Sequence, residues 1–147
     1  MSKLPSLKSL EVLSVLFAHG FENEQTATLG NQTIEFGSLD RTVLAGKMTT
    51  LGISVDEDGS PIATDLFIRI SQADTIVFSA PFASSSEELL TFAYTFADPG
   101  VYAIDVRTAK QTGTFTLTVQ PQKSIPWVFI AVGLLVGGLL VYWLKPS

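Results

Sequence analysis

The stretch LTFAYTFADPGVYAIDVR, residues 90–107, carries the most specific fold information in the chain. Over residues 90–96 apolar side chains, mostly aromatic, alternate with small ones, and this period of two predicts a half-buried strand. Asp98, Gly100 and Tyr102 then match the D-x-G-x-Y pattern of a tyrosine corner, in which a tyrosine hydroxyl bonds to upstream backbone and glycine takes an unusual dihedral angle. We therefore predict two consecutive strands joined at such a corner.

The same period of two recurs on both sides of this stretch. Turn residues separate the segments at near-regular spacing, as in Asp56-Glu57-Asp58-Gly59, and no helical period interrupts them. The pattern predicts an all-β fold, an immunoglobulin-like antiparallel β-sandwich of about seven strands over residues 30–120. The further predicted strands are residues 33–36, 47–55, 66–70, 75–82 and 115–119.

The N-terminal region has two readings. Residues 1–18 contain two lysines followed by a short apolar run, which resembles a secretory signal cleaved after Ala18. The alternative is an uncleaved amphipathic helix, because Glu11 interrupts the run and Leu16 replaces the small residue of a cleavage site. Residues 19–29 are polar and acidic, which predicts a linker, with a ragged first strand as the alternative.

A run of twenty uncharged residues, 125–144, has the length of a helix that crosses a bilayer. Aromatic residues stand near both of its ends, where lipid headgroups would lie. We predict one C-terminal transmembrane helix, a link at 121–124, a tail at 145–147 and possible helix dimerisation through small residues. The anchor residues are Trp127, Gly133, Gly137, Tyr142 and Trp143.

The orientation follows from the signal-like N-terminus rather than from loop charge. Lys145 beyond the run is balanced by Lys123 before it, so the positive-inside rule gives little guidance. We expect a single-pass protein of the cell membrane with its sandwich on the extracytoplasmic side. If residues 1–18 are not a signal, the protein is instead tail-anchored with a cytosolic sandwich.

Composition excludes several functional classes. The chain has no cysteine, which removes disulfides, thiolate metal sites and cysteine nucleophiles. Residues 19–123 contain 13 acidic and 6 basic side chains, a balance that disfavours nucleic-acid binding. A single histidine and the lack of a phosphate-binding glycine loop or paired-histidine motif argue against an enzyme. We expect binding rather than catalysis.

Residues 19–119 resemble the YtkA-like and FixH-like extracytoplasmic immunoglobulin-like domains. The motifs that carry the resemblance are an Ala18-His19-Gly20 start, the EFG strand at 35–37, the segment at 45–62 and the finish at 91–106. The resemblance implies a membrane-associated domain, with accessory work on a metalloprotein such as a copper or cytochrome oxidase system. The histidine-rich start of many such domains is reduced here to His19.

Two candidate cation sites follow from the residue types. If cleavage leaves His19 at the N-terminus, its α-amino group and imidazole could chelate Cu(II), with Glu22 or Glu24 adding oxygen ligands. The acidic turn at 56–59, with Asp65, offers oxygens for Ca²⁺ but lacks the spacing of a calcium loop, so a plain hairpin explains it better. The preferred function is a membrane-anchored binding or accessory domain that docks an integral membrane complex or handles copper. The alternative is a structural or adhesive surface module.

Overall fold

The computed structural model describes residues 15–83 and 89–124. In these ranges it contains one helical turn and ten strands. Their bounds are α1 Val15–Ala18, β1 Glu22–Leu29, β2 Gln32–Ser38, β3 Val43–Leu44, β4 Met48–Glu57, β5 Ser60–Pro61, β6 Leu66–Gln72, β7 Thr75–Phe82, β8 Leu89–Thr95, β9 Gly100–Arg107 and β10 Thr112–Gln120.

The strands form two sheets that pack face to face. In the first sheet β1 pairs with β2 and β2 with β4, while β8 and the short β5 both pair with the other edge of β4. The second sheet has the order β3-β10-β9-β6-β7. Every pair is antiparallel except β3 with β10, because the chain leaves the first sheet after β2 and crosses to the second at β3. This is the architecture of an immunoglobulin-like sandwich.

The predicted all-β sandwich is confirmed, with two differences. The seven predicted strands are β2, β4 and β6 to β10, and the structure adds β1, β3 and β5. Residues 19–29, predicted as an acidic linker with a ragged first strand as the alternative, contain β1, which pairs with β2 except at a register shift between Glu22 and Gln25. From β1 only Ala27 packs against the core, so this strand lacks the apolar alternation by which the other strands are recognised.

The core consists of the inner faces of both sheets. Phe36 of β2 stacks on Phe115 of β10 across the sandwich, with ring centroids 5.5 Å apart. A second aromatic contact links Phe96 to Tyr102 at 4.7 Å. Val43 of β3 joins further buried core side chains, which alternate along β2, β4, β6, β9 and β10 as the sequence predicts: Ile34, Leu51, Ile53, Val55, Ile68, Ile70, Ile104, Val106, Leu117 and Val119.

The two ends of the sandwich differ in which chain segments they carry. We call the exit end the one where β10 finishes at Gln120, beside β3 and the start of β9. β1 also begins there, since Glu22 pairs with Ser38 just before the crossing to β3. The far end carries the β4–β5 hairpin and the β9–β10 connection, where the Thr108 hydroxyl lies 3.0 Å from the side-chain oxygen of Gln32.

The outer face of the first sheet is covered by residues 16–21. The carbonyl of Leu16 accepts hydrogen bonds from the amides of His19 and Phe21, both at 3.1 Å, which ends α1 in a Schellman-type cap. The side chains of Leu16 and Phe21 are buried. A Cβ atom on Gly52 would lie 2.5 Å from the Phe21 ring, so the ring packs directly on strand backbone. The end of the signal-like segment is therefore part of the folded domain.

The predicted transmembrane helix, its anchor residues and most of residues 1–18 lie outside the described residues. Within the described ranges, no helix combines the length and apolar character needed to cross a bilayer.

We expect Gly52→Ala to lower the free energy of unfolding by about 1–3 kcal/mol, because the new methyl group overlaps the Phe21 ring and forces it to move. Urea unfolding followed by circular dichroism measures the change. In a Phe21→Leu background the clashing ring atoms are gone, so the same substitution should cost less. Equal costs in the two backgrounds would contradict this packing.

Candidate functional site

The tyrosine-corner residues lie together between β8 and β9. The Tyr102 hydroxyl donates a hydrogen bond of 2.8 Å to the carbonyl of Asp98. Gly100 has φ of +141°, a value that side-chain-bearing residues rarely adopt, and a Cβ there would lie 2.6 Å from the amide nitrogen of Gln72. That nitrogen donates to the carbonyl of Pro99 at 3.1 Å. These contacts fasten the corner to the β6–β7 turn, which is a structural role.

The proposed copper ligands are spread over the turn after α1 and the start of β1. His19 is exposed in the α1 cap, and the Glu22 carboxylate faces the Arg41 guanidinium at 3.5 Å. Nowhere in the described chain do three His, Cys, Asp or Glu side chains come close enough to hold a metal ion. His19, Glu22 and Glu24 are thus not gathered into a three-side-chain ligand set, and the chelate formed by the α-amino group and imidazole of a cleaved His19 stays a prediction.

The acidic turn forms the tight β4–β5 hairpin. Its two turn residues, Asp58 and Gly59, both have positive φ, as a type I′ turn requires. The Glu57 carboxylate accepts a hydrogen bond from the Lys110 ammonium, and the Asn31 amide lies 3.3–3.4 Å from the carboxylates of Glu57 and Asp58. Because the chain's own side chains engage these carboxylates, the hairpin serves the far end as a structural turn.

A polar cleft opens where the edges of the two sheets meet, and we call it the edge cleft. It lies between β1, the β2–β3 crossing and β10, towards the exit end, and it encloses about 300 Å³. It is lined by Asn23, Glu24, Gln25, Arg41, Thr42, Val43, Thr116, Leu117, Thr118 and Gln120.

Two amide side chains of β1 build the walls of the edge cleft. Gln25 donates to the carbonyl of Thr116 at 2.6 Å and accepts from its backbone amide at 3.1 Å, so one side chain satisfies the backbone edge of β10. Asn23, with φ of +52°, donates to the carbonyls of Asp40 and Arg41 at 3.2 and 3.1 Å. These bonds hold β1 against β10 and fix the crossing loop.

Sequence reasoning missed Gln25 and Thr116 as partners. They are 91 positions apart, and neither belongs to a recognisable motif. Asn23 is similar, because an isolated asparagine in a polar stretch has no signal that separates it from a solvated residue. Only the folded chain reveals their roles.

The chemistry of the edge cleft suits recognition of a polar ligand or peptide. Glu24 and Arg41 offer one charge of each sign, and Thr118 and Gln120 add donors and acceptors. Arg41 is well exposed, so its contact with Glu22 contributes little to stability and the guanidinium is accessible to a partner. None of the lining residues pairs a nucleophile with a histidine base.

No protein-family model matches the chain, and no curated protein matches it at a significant level. Among solved structures, the CARDB domain of a Pyrococcus furiosus protein, described as a complex with di-metal ions, is similar at 18% identity and a TM-score of 0.42, over 65% of this chain and 100% of that one. The soluble domain of PmoD from a Methylocystis species is similar at 14% identity and a TM-score of 0.42, over 66% and 97% of the two chains.

The superoxide reductase (neelaredoxin) of Ignicoccus hospitalis is similar at 12% identity and a TM-score of 0.44, over 74% of this chain and 88% of that one. Likenesses of this extent carry no argument about function. The YtkA-like and FixH-like resemblance stays a prediction.

We expect Gln25→Ala to expose the backbone of β10 at one position. The amide of Thr116 loses its hydrogen-bond acceptor, so its hydrogen exchange should become faster. The amide of Leu117 is the control and should stay protected, because Leu117 pairs with Tyr102 of β9. Amide exchange measured by NMR tests this. Unchanged exchange at Thr116 would show that Gln25 does not close the edge.

Hydrogen bonding from Lys110 holds the pKa of Glu57 below its ordinary value of 4.5. A carboxyl with a lowered folded pKa stabilises the fold above pH 4.5, and that contribution is lost as the pH falls through the lowered pKa. Lys110→Met should raise the pKa of Glu57 and flatten this part of the pH dependence. Carboxyl NMR titration measures the pKa, with Lys123→Met at the exit end as the control, which should leave Glu57 unchanged.

Proposed function

We propose that this chain is a membrane-anchored binding domain that serves an integral membrane partner from the extracytoplasmic side, and that it is not an enzyme. The observation that carries the proposal is the position of the edge cleft at the exit end. Residues 121–124, which follow β10, form neither helix nor strand and lead directly to the apolar run at 125–144.

Chain length supports this placement. Four residues span at most about 14 Å when fully extended. A sandwich followed by so short a link stays next to the bilayer if residues 125–144 cross it, and its exit end is the part that faces the lipid. The edge cleft then lies near the membrane surface, within reach of the loops of a membrane protein.

The character of the edge cleft supports binding over catalysis. Its walls consist of backbone and amide groups fixed by Asn23 and Gln25, while the Arg41 guanidinium remains exposed. A partner can therefore pair with Arg41 and Glu24 without rearranging the fold. The proposal rests on the edge cleft alone and does not involve copper.

Arg41→Glu tests the proposal. The full chain is extracted from its native membranes in mild detergent, and we expect one integral membrane protein to co-purify in a fixed ratio. Arg41→Glu should reduce that recovery at least several-fold, because the reversed charge repels the group that the guanidinium binds.

Arg107→Glu is the matched control. Arg107 is also exposed but lies at the far end, over the ring of Phe67, so the same charge reversal there should leave recovery unchanged. Extraction of the chain without any stoichiometric partner would overturn the proposal and favour the surface-module alternative.

A further inference from the structure

Large exposed apolar side chains are unevenly distributed over the sandwich. Six such residues are exposed in the described chain, and five of them lie in the half nearer the exit end: Leu39, Met48, Ile76, Val77 and Val101. The sixth, Leu29, is in the β1–β2 hairpin at the far end. Single exposed apolar residues are ordinary on protein surfaces, but this asymmetry along the strand axis is not explained by the core.

Three of these residues lie within the last few rungs of the sheets. Leu39 follows β2, with its amide bonded to the carbonyl of Thr50, and Met48 is the first residue of β4. On the opposite sheet Val101 is the second residue of β9. Their exposed fractions are 51%, 67% and 59%, so the exit end is ringed by apolar groups on both faces. We call these three residues the exit-end collar.

The strand register places Met48 and Val101 on the outward faces. In β4 the inward residues are Leu51, Ile53 and Val55, so Met48 has the opposite parity and points away from the core. In β9 the buried residues have even numbers, from Tyr102 to Val106, so Val101 points outward as well. Met48 and Val101 therefore do not pack into the core, and with the half-exposed Leu39 they are accessible to lipid.

The exit end carries a small net negative charge. Its acidic side chains outnumber its basic ones by five to three, a net of 3 − 5 = −2; they are Asp40, Asp74, Asp98, Glu22 and Glu24 against Arg41, Lys47 and Lys123. A zwitterionic lipid surface has no net charge to repel such an end, whereas anionic lipid would repel it, and the end has no basic excess that would attract anionic lipid.

We propose that the exit-end collar is a bilayer-contacting surface, seated in the headgroup region of a zwitterionic membrane with the strands standing away from it. This inference rests on the membrane anchoring proposed above. The link at 121–124 reaches at most about 14 Å, while the headgroup layer of each leaflet is about 5–8 Å thick, so the exit end stays within about 10 Å of the headgroups and is free to rest among them. Contact at this depth would fix the height and orientation of the edge cleft.

The absence of cysteine from the chain allows a direct test by single-site labelling. An environment-sensitive fluorophore is attached to the collar in three variants, Leu39→Cys, Met48→Cys and Val101→Cys. The matched control is Leu29→Cys, because the 55% exposure of Leu29 is similar to that of the collar residues. The full-length variants are reconstituted into phosphatidylcholine vesicles at low protein-to-lipid ratio, and quenching by aqueous iodide is measured.

We expect the three collar labels to be quenched several-fold less than the label at residue 29. Equal quenching at all four positions, in protein that floats with the vesicles, would overturn this inference while leaving membrane anchoring intact. Protein that does not float with the vesicles would overturn the anchoring and the inference together. Shielding that increases with protein-to-lipid ratio would assign the collar to self-association and overturn the lipid contact.

Discussion

The fold depends on the contact between the inner faces of two sheets. Neither sheet can bury its apolar face alone, and the stacking of Phe36 on Phe115 joins them at the centre of the core. Close packing there fixes the distance between the sheets, and this distance in turn sets how near β1 comes to β10. The edge cleft is thus a consequence of core packing, although every one of its hydrogen bonds lies outside the core.

Two sets of side-chain hydrogen bonds satisfy backbone groups outside the core. At the exit end, the Tyr102 hydroxyl and the Gln72 amide both bind carbonyls of the 98–100 corner. At the sheet edge, Gln25 satisfies backbone groups of Thr116 that would otherwise be a site for strand addition. In both places side chains make the hydrogen bonds to backbone groups, because no neighbouring strand is present there to bond to those groups.

The end of the N-terminal region packs on the outer face of the first sheet. Adjacent glycines on β2 and β4, Gly37 and Gly52, leave a shallow floor on the outer face of the first sheet, and Phe21 and Leu16 fill it. Burial of Leu16 makes the end of the signal-like segment a contributor to stability. Removal of residues 1–18 would take Leu16 away and uncover part of this floor.

The sequence by itself determined the strands that have one apolar face and one polar face. Seven strands, the direction of their apolar side chains and the corner at Asp98, Gly100 and Tyr102 all follow from local alternation and turn chemistry, because a half-buried strand must alternate. For the polar strand β1 the sequence leaves a linker and a ragged first strand open, because only Ala27 of this strand packs against the core. Only the tertiary structure decided that β1 reaches β10, that His19, Glu22 and Glu24 do not form a three-residue cluster, and that five of the six exposed large apolar residues of the described chain lie nearer one end. Each of these depends on contacts between residues far apart in the chain, and the distances between such residues are set by the packing of the sheets rather than by any local pattern.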